Sequence, residues 1–432
     1  MREEREAARD AAPGAERPRA GVQELGVLGV HARSVERPGS EKEAQSLLAL
    51  AFRERKTVLP CGGGTALAAG VLPEAVDIAL DTTALNRVLA FDPQNLNIAL
   101  LAGVTVGAVN EYLASQGKGF FLPLDPPWPE RATIGGVYAS NASGPSRLRY
   151  GTVRDQALGV RGADARGREI GFGGKTVKNV SGYDLTKFFV GSAGSLCLIT
   201  SISFRVMPLP EVSSLCRVGF EDVGALGLFL SRLRASVLIP SAVVVTGPEG
   251  EPGDRCPSLL RGLVSFEGHM DAVARQNRDL LRLAAECGGS GQAEEGREVA
   301  VKALRAAIGP AGSALYTLCL KVSVPLAEGP RAYAALRSLA AECGAKRCKV
   351  VLYAGNGVLT VDADGLAPEG TDRLVGGAKE LAHAAGGHVA PIRAHRLVLS
   401  AWGPRLDPTL QRLVLQPIKE RLDPTSVFPP IA

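Results

Sequence analysis

Apolar positions along the chain recur in two rhythms, and the rhythm changes along its length. From Glu41 to Arg53, Ala44, Leu47, Leu48 and Ala51 fall at helical spacing behind Ser40, a residue type that caps helix N-termini. Short apolar runs then predict strands at Thr57–Pro60, Val76–Asp81, Arg87–Asp92 and Asn97–Leu101, the last two flanking the turn Pro93-Gln94-Asn95. Thr105 caps a predicted helix from Val106 to Ser115, which Gly117 closes. Periodicity then disappears between Leu122 and Gly151. A stretch of that length inside a compact domain is usually functional. Strand patterns return at Ala157–Gly162, Glu169–Phe172 and Ser195–Met207, and the last ends on Pro208-Leu209-Pro210.

Beyond that proline pair the order of elements predicts an antiparallel sheet with helices on one face. Strands are expected at 212–220, 242–246, 260–266, 315–324, 349–353 and 358–362, and helices at 223–235, 270–287, 331–343 and 371–385. Residues 288–298 read as a Gly/Glu loop. The pattern divides the chain into a mobile leader (1–22), a first domain (23–210), a smaller α+β domain (211–395) and a closing segment (396–432).

Composition narrows the function classes. Lys and Arg total 49 against 44 Asp and Glu, a net charge of +5 that is too dilute for a nucleic-acid footprint, and no basic stripe with interleaved aromatics is present. The longest promising uncharged run, Phe188–Phe204, is broken by Gly191, Gly194 and four Ser, so it does not read as a membrane span. MREEREAARD lacks the apolar core of a secretory signal. The eight cysteines form no CxxC and read as small buried hydrophobes in a reducing, cytoplasmic setting. No metal set is assigned.

Three glycine-rich segments carry the candidate chemistry. In PCGGGTALAAG (60–70), consecutive glycines let backbone N–H groups approach an anion that side chains would keep away, although triple glycine is equally a tight turn. In LDPPWPERATIGGVYASNASG (124–144), Gly135-Gly136 repeats that logic. There Thr133, Asn141 and Ser143 offer hydrogen bonds, and Ile134 and Tyr138 offer apolar surface; a surface loop is the alternative reading. It runs on into RYGTVRD (149–155). The third is GGKTVKNVSGYDLTKFFVGSAGSLCLIT (173–200). Lys175 and Lys178 in it are read as solvated, or as partners of an anionic ligand such as a substrate carboxylate.

Taken in order, these motifs resemble the FAD-binding domain of the vanillyl-alcohol oxidase/PCMH flavoprotein superfamily over about residues 35–210. The resemblance implies an α+β fold: a PCMH-type two-lobed FAD-binding domain followed by a smaller antiparallel α+β cap domain. It implies that Pro60, Gly62, Gly63, Gly64 and Thr65, with Cys61 in the same loop, lie at the FAD diphosphate. It places Leu124, Asp125, Thr133, Ile134, Gly135, Gly136, Asn141, Ser143, Gly144, Tyr150, Gly151 and Ile199 about the flavin and its ribityl chain. With Cys61 and no His in the first loop, the FAD is expected to be non-covalent, a cysteinyl link at Cys61 being the alternative.

Within the superfamily the resemblance narrows to GlcE-like subunits of glycolate oxidase. It implies a GlcD-like catalytic flavoprotein and a GlcF-like iron–sulfur subunit as partners, in an assembly that oxidises glycolate or D-lactate and associates at most peripherally with the inner membrane face. Catalytic relatives carry HxGDGNxH; here Tyr353-Ala354-Gly355-Asn356-Gly357-Val358-Leu359-Thr360 stands in its place, with Tyr353 and Thr360 at the histidine positions. No catalytic residue is assigned. The three readings are an FAD-carrying accessory subunit, a self-sufficient FAD-dependent 2-hydroxy-acid dehydrogenase, and a scaffold with a vestigial site. His383, His388 and His395 with Arg393 form one local cluster, read as a helix end and a solvated turn, with a metal or catalytic role as the alternative. Asp362-x-Asp364-Gly365 reads as a turn. LDPTSVFPPIA resembles the superfamily's closing LDPxxxFNPG segment, with Pro429 in place of Asn, and the resemblance implies that it returns to the flavin domain.

Overall fold

The structure is a computed structural model that describes residues 20–174, 185–247, 260–309, 317–400, 402 and 408–431. Lys175, Lys178, Asn179, the Ser181–Asp184 turn, Cys256 and most of the leader lie outside the described residues. The chain divides into two compact units, one of residues 1–143, 151–209 and 393–432, the other of residues 144–150 and 210–392.

In the first unit, helix α1 (Ala20–Val27) leads into strand β1 (His31–Glu36), α2 (Glu41–Glu54), β2 (Val58–Cys61) and β3 (Ala75–Asp81). The order β1-β3-β2 is all parallel, as a helical crossover demands. Ser40 caps α2 by accepting from the Glu43 amide, while the Glu43 carboxylate accepts from Gly39 N at 2.6 Å. Ala44, Leu48 and Ala51 face a core with Val58, Ile78, Leu80, Leu198, Val427 and Phe428.

Strands β4 (Val88–Asp92), β5 (Asn97–Leu101), β7 (Ala157–Ala163), β8 (Glu169–Gly173) and β9 (Leu198–Arg205) form an antiparallel sheet in the order β4-β5-β9-β7-β8; β6 (Phe120–Phe121) pairs with β10 (Met207–Pro208). Helix α3 (Val106–Ser115), capped by Thr105, packs beside it. The aperiodic stretch holds a short helix, α4 (Ile134–Ser140), that the paired glycines conceal from a periodicity reading.

The second unit is built on one eight-stranded sheet. Its strands are β11 (Val212–Phe220), β12 (Ala242–Thr246), β13 (Leu260–Gly268), β14 (Ser290–Glu295), β15 (Leu318–Ser323), β16 (Arg347–Tyr353), β17 (Val358–Asp364) and β18 (His388–Arg393), in the order β14-β11-β13-β12-β16-β17-β15-β18. Helices α5 (Val223–Ala235), α6 (Met270–Glu286), α7 (Arg297–Ile308), α8 (Gly329–Glu342) and α9 (Pro368–Ala384) connect the strands.

Two expectations for this unit are corrected. Residues 290–295 are not loop but an edge strand paired with β11, since a solvated edge tolerates the polar sequence SGQAEE. Nor do the helices keep to one face. Cys216 of β11 reaches Asn277 of α6, whereas its neighbour Leu215 packs with Ala300, Ala303, Leu304 and Ala307 of α7. Successive strand residues point to opposite faces, so α6 and α7 sandwich the sheet. Among the described residues no helix is long and apolar enough to cross a membrane.

Candidate functional site

Strand β2 ends at Cys61, whose carbonyl accepts from Thr82 Oγ1 at 3.0 Å. The chain then enters Gly62-Gly63-Gly64-Thr65-Ala66. Two of these glycines are fixed by packing. A Cβ on Gly62 would lie 2.2 Å from Thr133 Oγ1, and one on Gly63 would lie 1.6 Å from the Arg131 carbonyl oxygen. The first glycine loop therefore lies against the segment that opens α4. Arg131 ties the two together by donating to Gly63 O at 3.3 Å and to Glu24 at 2.9 Å.

Glu24 is gripped by Arg131 and Arg393 together. Burial raises its carboxyl pKa, but hydrogen bonds from Arg131 and Arg393 more than offset this, so the net shift is downward.

The second wall is α4. Thr133 caps it by accepting from Gly136 N at 3.3 Å, and the amides of Ile134 and Gly135 donate to Val104 O and Ala102 O. Its far end is closed by Asn141 in the left-handed conformation. The third wall is the turn 191–194, held to α4 by Gly191 N to Tyr138 O and Ala193 N to Ala139 O. Ile199 opens β9 behind it.

Together they line one cleft that is open to solvent. It gathers Pro60, Cys61, Gly62, Gly63, Gly64, Thr65, Thr133, Gly135, Gly136 and Ile199 from the sequence-derived set, and adds Ser140, Ala193 and Gly194, among others. The added residues lie within motifs quoted above. Their signal was there, but small residues carry no chemistry of their own to single them out.

The other members of that set are not lining residues. Leu124 and Ile134 are in the core beneath the cleft. Ile134 is fully buried, and its amide donates to Val104 O. Asn141 stands just behind the lining, and its Oδ1 is buried without a partner, as is Ser192 Oγ in the adjoining turn. Asp125 and Ser143 belong to the first unit outside the cleft, and Gly151 forms a positive-φ turn over Asp155. Gly144 and Tyr150 fall in the second unit, where the Tyr150 hydroxyl donates to Glu267 at 2.5 Å.

The cleft's donors define what it can hold. Among the described residues, the backbone N–H groups of Gly62, Gly63, Gly64, Thr65 and Ala66 have no acceptor. Successive unpaired amides in a glycine loop make a concave anion site. Amides left without acceptors are costly where they are buried, as Gly63 and Gly64 are, so the row suits a ligand's oxygens. The same arrangement tests FAD. Its diphosphate supplies the missing acceptors, and the small residues of α4 and of the 191–194 turn leave room for a flat ring system. The residues present fit the group.

Cys61 lines the cleft by its backbone; its Sγ is buried against Leu59 O, and burial pushes the thiol up to about 12.

The turn that stands in for the histidine motif joins β16 to β17. Tyr353 and Thr360 are both buried on the sheet. His383, His388 and His395 are all exposed, and His383 and His395 belong to different units. Among the described residues no three His, Cys, Asp or Glu side chains are grouped to hold a metal. Asp364 instead accepts from Thr317 N, and the chain turns at Gly365 with φ +69°.

Comparison with known proteins agrees with this geometry. Residues 32–173 match the family described as FAD binding domain. The chain is 32% identical over 206 residues to glycolate oxidase subunit GlcD of Bacillus subtilis, spanning 48% of this chain and 43% of that protein. It is 38% identical over 176 residues to D-lactate dehydrogenase of Archaeoglobus fulgidus, covering 40% of this chain and 38% of that one. It is 39% identical over 135 residues to glycolate oxidase subunit GlcE of Escherichia coli, covering 31% and 38%. The matches thus span about two fifths of these curated relatives. Among solved structures, p-cresol methylhydroxylase with substrate bound aligns over 94% of this chain and 91% of its own, with a TM-score of 0.69 at 17% identity. A glucooligosaccharide oxidase of Acremonium strictum aligns over the same shares with a TM-score of 0.72 at 13% identity. Its cofactor in a second structure is described as 6-S-cysteinyl, 8α-N1-histidyl FAD. The architecture is the PCMH/VAO-type FAD-binding fold, of α+β class.

Proposed function

Taking residues 32–173 as an FAD-binding domain of the vanillyl-alcohol oxidase/PCMH flavoprotein superfamily, we propose that this chain is the FAD-carrying accessory subunit of a heteromeric glycolate/D-lactate dehydrogenase. The observation that carries the cofactor part is the row of unpaired amides from Gly62 to Ala66. In this reading those amides hold the diphosphate. Gly135, Gly136, Ser140, Ala193, Gly194 and Ile199 flank the flavin, and Asn141 and Ser192 supply polar atoms behind it. FAD, when bound, supplies two-electron chemistry that no side chain offers. It is held non-covalently, because the buried Cys61 thiol stays protonated.

The accessory role rests on the second unit. Oxidation of a 2-hydroxy acid needs a base for the hydroxyl proton and a cation for the carboxylate. Tyr353 and Thr360 occupy the positions where catalytic relatives carry histidines, and neither is a base at neutral pH. Similarity to GlcD and GlcE supports an assembly with a GlcD-like flavoprotein, and in this reading a GlcF-like iron–sulfur subunit is the further partner that takes the electrons.

The test is direct. The purified chain is expected to show flavin absorbance in the blue and to stay oxidised under anaerobic D-lactate or glycolate until its flavoprotein partner is added. A colourless chain that takes up no added FAD sinks the cofactor assignment. Rapid bleaching by either acid without partners sinks the accessory role.

A further inference from the structure

A second hollow, of about 590 Å³ and open to solvent, lies wholly within the second unit. Its walls are Leu148, Leu230, Leu233, Leu238, Val243 and Leu326, from α5, the segment after it, β12 and two loops. Ala354 and Gly355, from the turn that replaced the histidine motif, close one side. At the rim, Val237 and Ile239 are 77% and 67% exposed, although apolar side chains this size are normally covered. That rim is not loose, because Ile239 N donates to the buried Gln276 Oε1 at 2.7 Å.

Four polar side chains reach the hollow: Arg149, Arg234, Glu267 and Gln276. The Glu267 charge is already answered, by the Tyr150 hydroxyl at 2.5 Å and the Arg297 guanidinium at 3.5 Å. Arg149 has one N–H on the Glu267 backbone carbonyl and stacks on the Tyr150 ring. Arg232, one turn-step from Arg234, is spent on Glu286. Arg234 itself has no partner among the described residues. The balance at the hollow is therefore an apolar body with two guanidiniums whose charge no carboxylate among the described residues pairs with.

We propose that this hollow binds an amphiphilic anion, an apolar chain or ring system ending in a carboxylate, with the carboxylate on Arg234 and Arg149 and the apolar part against the leucines. A guanidinium favours a carboxylate through paired, charge-assisted hydrogen bonds. Its lining residues belong to the second unit and those of the glycine-loop cleft to the first, and the proposal does not depend on the accessory-subunit reading.

The full chain is titrated by calorimetry with hexanoate, octanoate, decanoate and dodecanoate, and with the matching alcohols. Affinity is expected to rise about fourfold per methylene, and each acid to bind at least about tenfold tighter than its alcohol. Arg234→Gln should erase most of that acid-over-alcohol preference while leaving alcohol binding in place. Val243→Trp should block both ligands, and if that variant misfolds, Leu326→Trp on a surface loop makes the same test. The bound flavin spectrum should not shift on saturation. Absence of binding by dodecanoate at millimolar concentration overturns the proposal. So does equal binding of acid and alcohol, or an acid preference untouched by Arg234→Gln. Co-sedimentation with phosphatidylglycerol vesicles without binding of monomeric dodecanoate would move the function to a lipid surface and equally overturn it.

Discussion

Replacing Gly63 by alanine is the sharpest test of the anion loop. The added Cβ would sit 1.6 Å from the Arg131 carbonyl oxygen, whereas ordinary contact begins at 3.4 Å. Neither party is a flexible side-chain end, so the loop and the 131–133 segment must part by nearly 2 Å. A hydrogen bond does not survive a displacement of that size. Each amide bond to a charged group contributes about 1.5–3 kcal/mol. Losing two of the five therefore costs about 3–6 kcal/mol, or roughly 10²- to 10⁴-fold in FAD affinity. The assay is FAD titration of the deflavinated chain, with flavin-to-protein ratio after gel filtration as a second measure. Gly376→Ala in α9, where nothing lies within 4 Å, should bind FAD normally and gain up to about 1 kcal/mol of stability. A loss caused by general disruption is separated by ligands of the unaltered chain: ADP should bind at least tenfold tighter than adenosine if the loop holds a diphosphate. The reasoning fails if Gly63→Ala retains FAD within about threefold of the parent, or if ADP and adenosine bind alike.

Three further outcomes follow from buried charge. Lys419 Nζ donates to Ser195 O, Asp423 Oδ2, Phe428 O and Pro429 O, so Lys419→Met should cost about 3–5 kcal/mol and expose the closing segment to limited proteolysis. Asp362 is raised to about 7 by burial, against a smaller opposing hydrogen bond from Cys319. Its folded value lies above its unfolded one, so the chain loses stability as pH climbs from about 4 towards 7; Asp362→Asn should remove that slope and gain on the order of 3 kcal/mol at pH 8, read by denaturant melts. Glu24 shows the opposite sign: its stabilisation is present above the unfolded value and lost as pH falls through the lower folded one. Glu24→Gln should cost about 3 kcal/mol at pH 7, because the ion pairs of Glu24 with Arg131 and the buried Arg393 are lost, with the deficit shrinking in acid.

Much of the fold was legible because its elements obey local rules. Ser40 and Thr105 cap the helices that their positions predict, and strands β2, β3, β4, β5 and β9 carry the Val, Ile and Leu that mark them, whereas β1, with the sequence HARSVE, went unread. Where a reading failed, tertiary context had replaced local preference. Helix α4 contains two adjacent glycines that propensity alone would place in a loop, and it stands because Thr133 caps it and Ala102 and Val104 accept its first amides. Strand β14 is polar because it is an edge, and its partner β11 supplies the ladder. Helix α7 went unread because its small alanines blur the apolar stripe that it presses against Leu215 and Val244.

The site was legible to a similar degree, and for a reason that differs from the sequence argument. Glycine at 62 and 63 was read as making room for an anion. The structure gives these residues a prior duty, since both lie against Arg131–Thr133, nearly seventy residues away in the chain. The same loop's amides find no acceptor among the described residues. The donor row and the cap of α4 are therefore one mechanical piece, bolted by Arg131 to Gly63 and Glu24. It follows that a change at Thr133 should disturb the anion site as surely as one at Gly63. Thr133→Val keeps the volume and removes the Oγ1 that caps Gly136. If the two walls are coupled in this way, that variant weakens ADP as well as FAD, whereas independent walls would leave ADP binding unchanged.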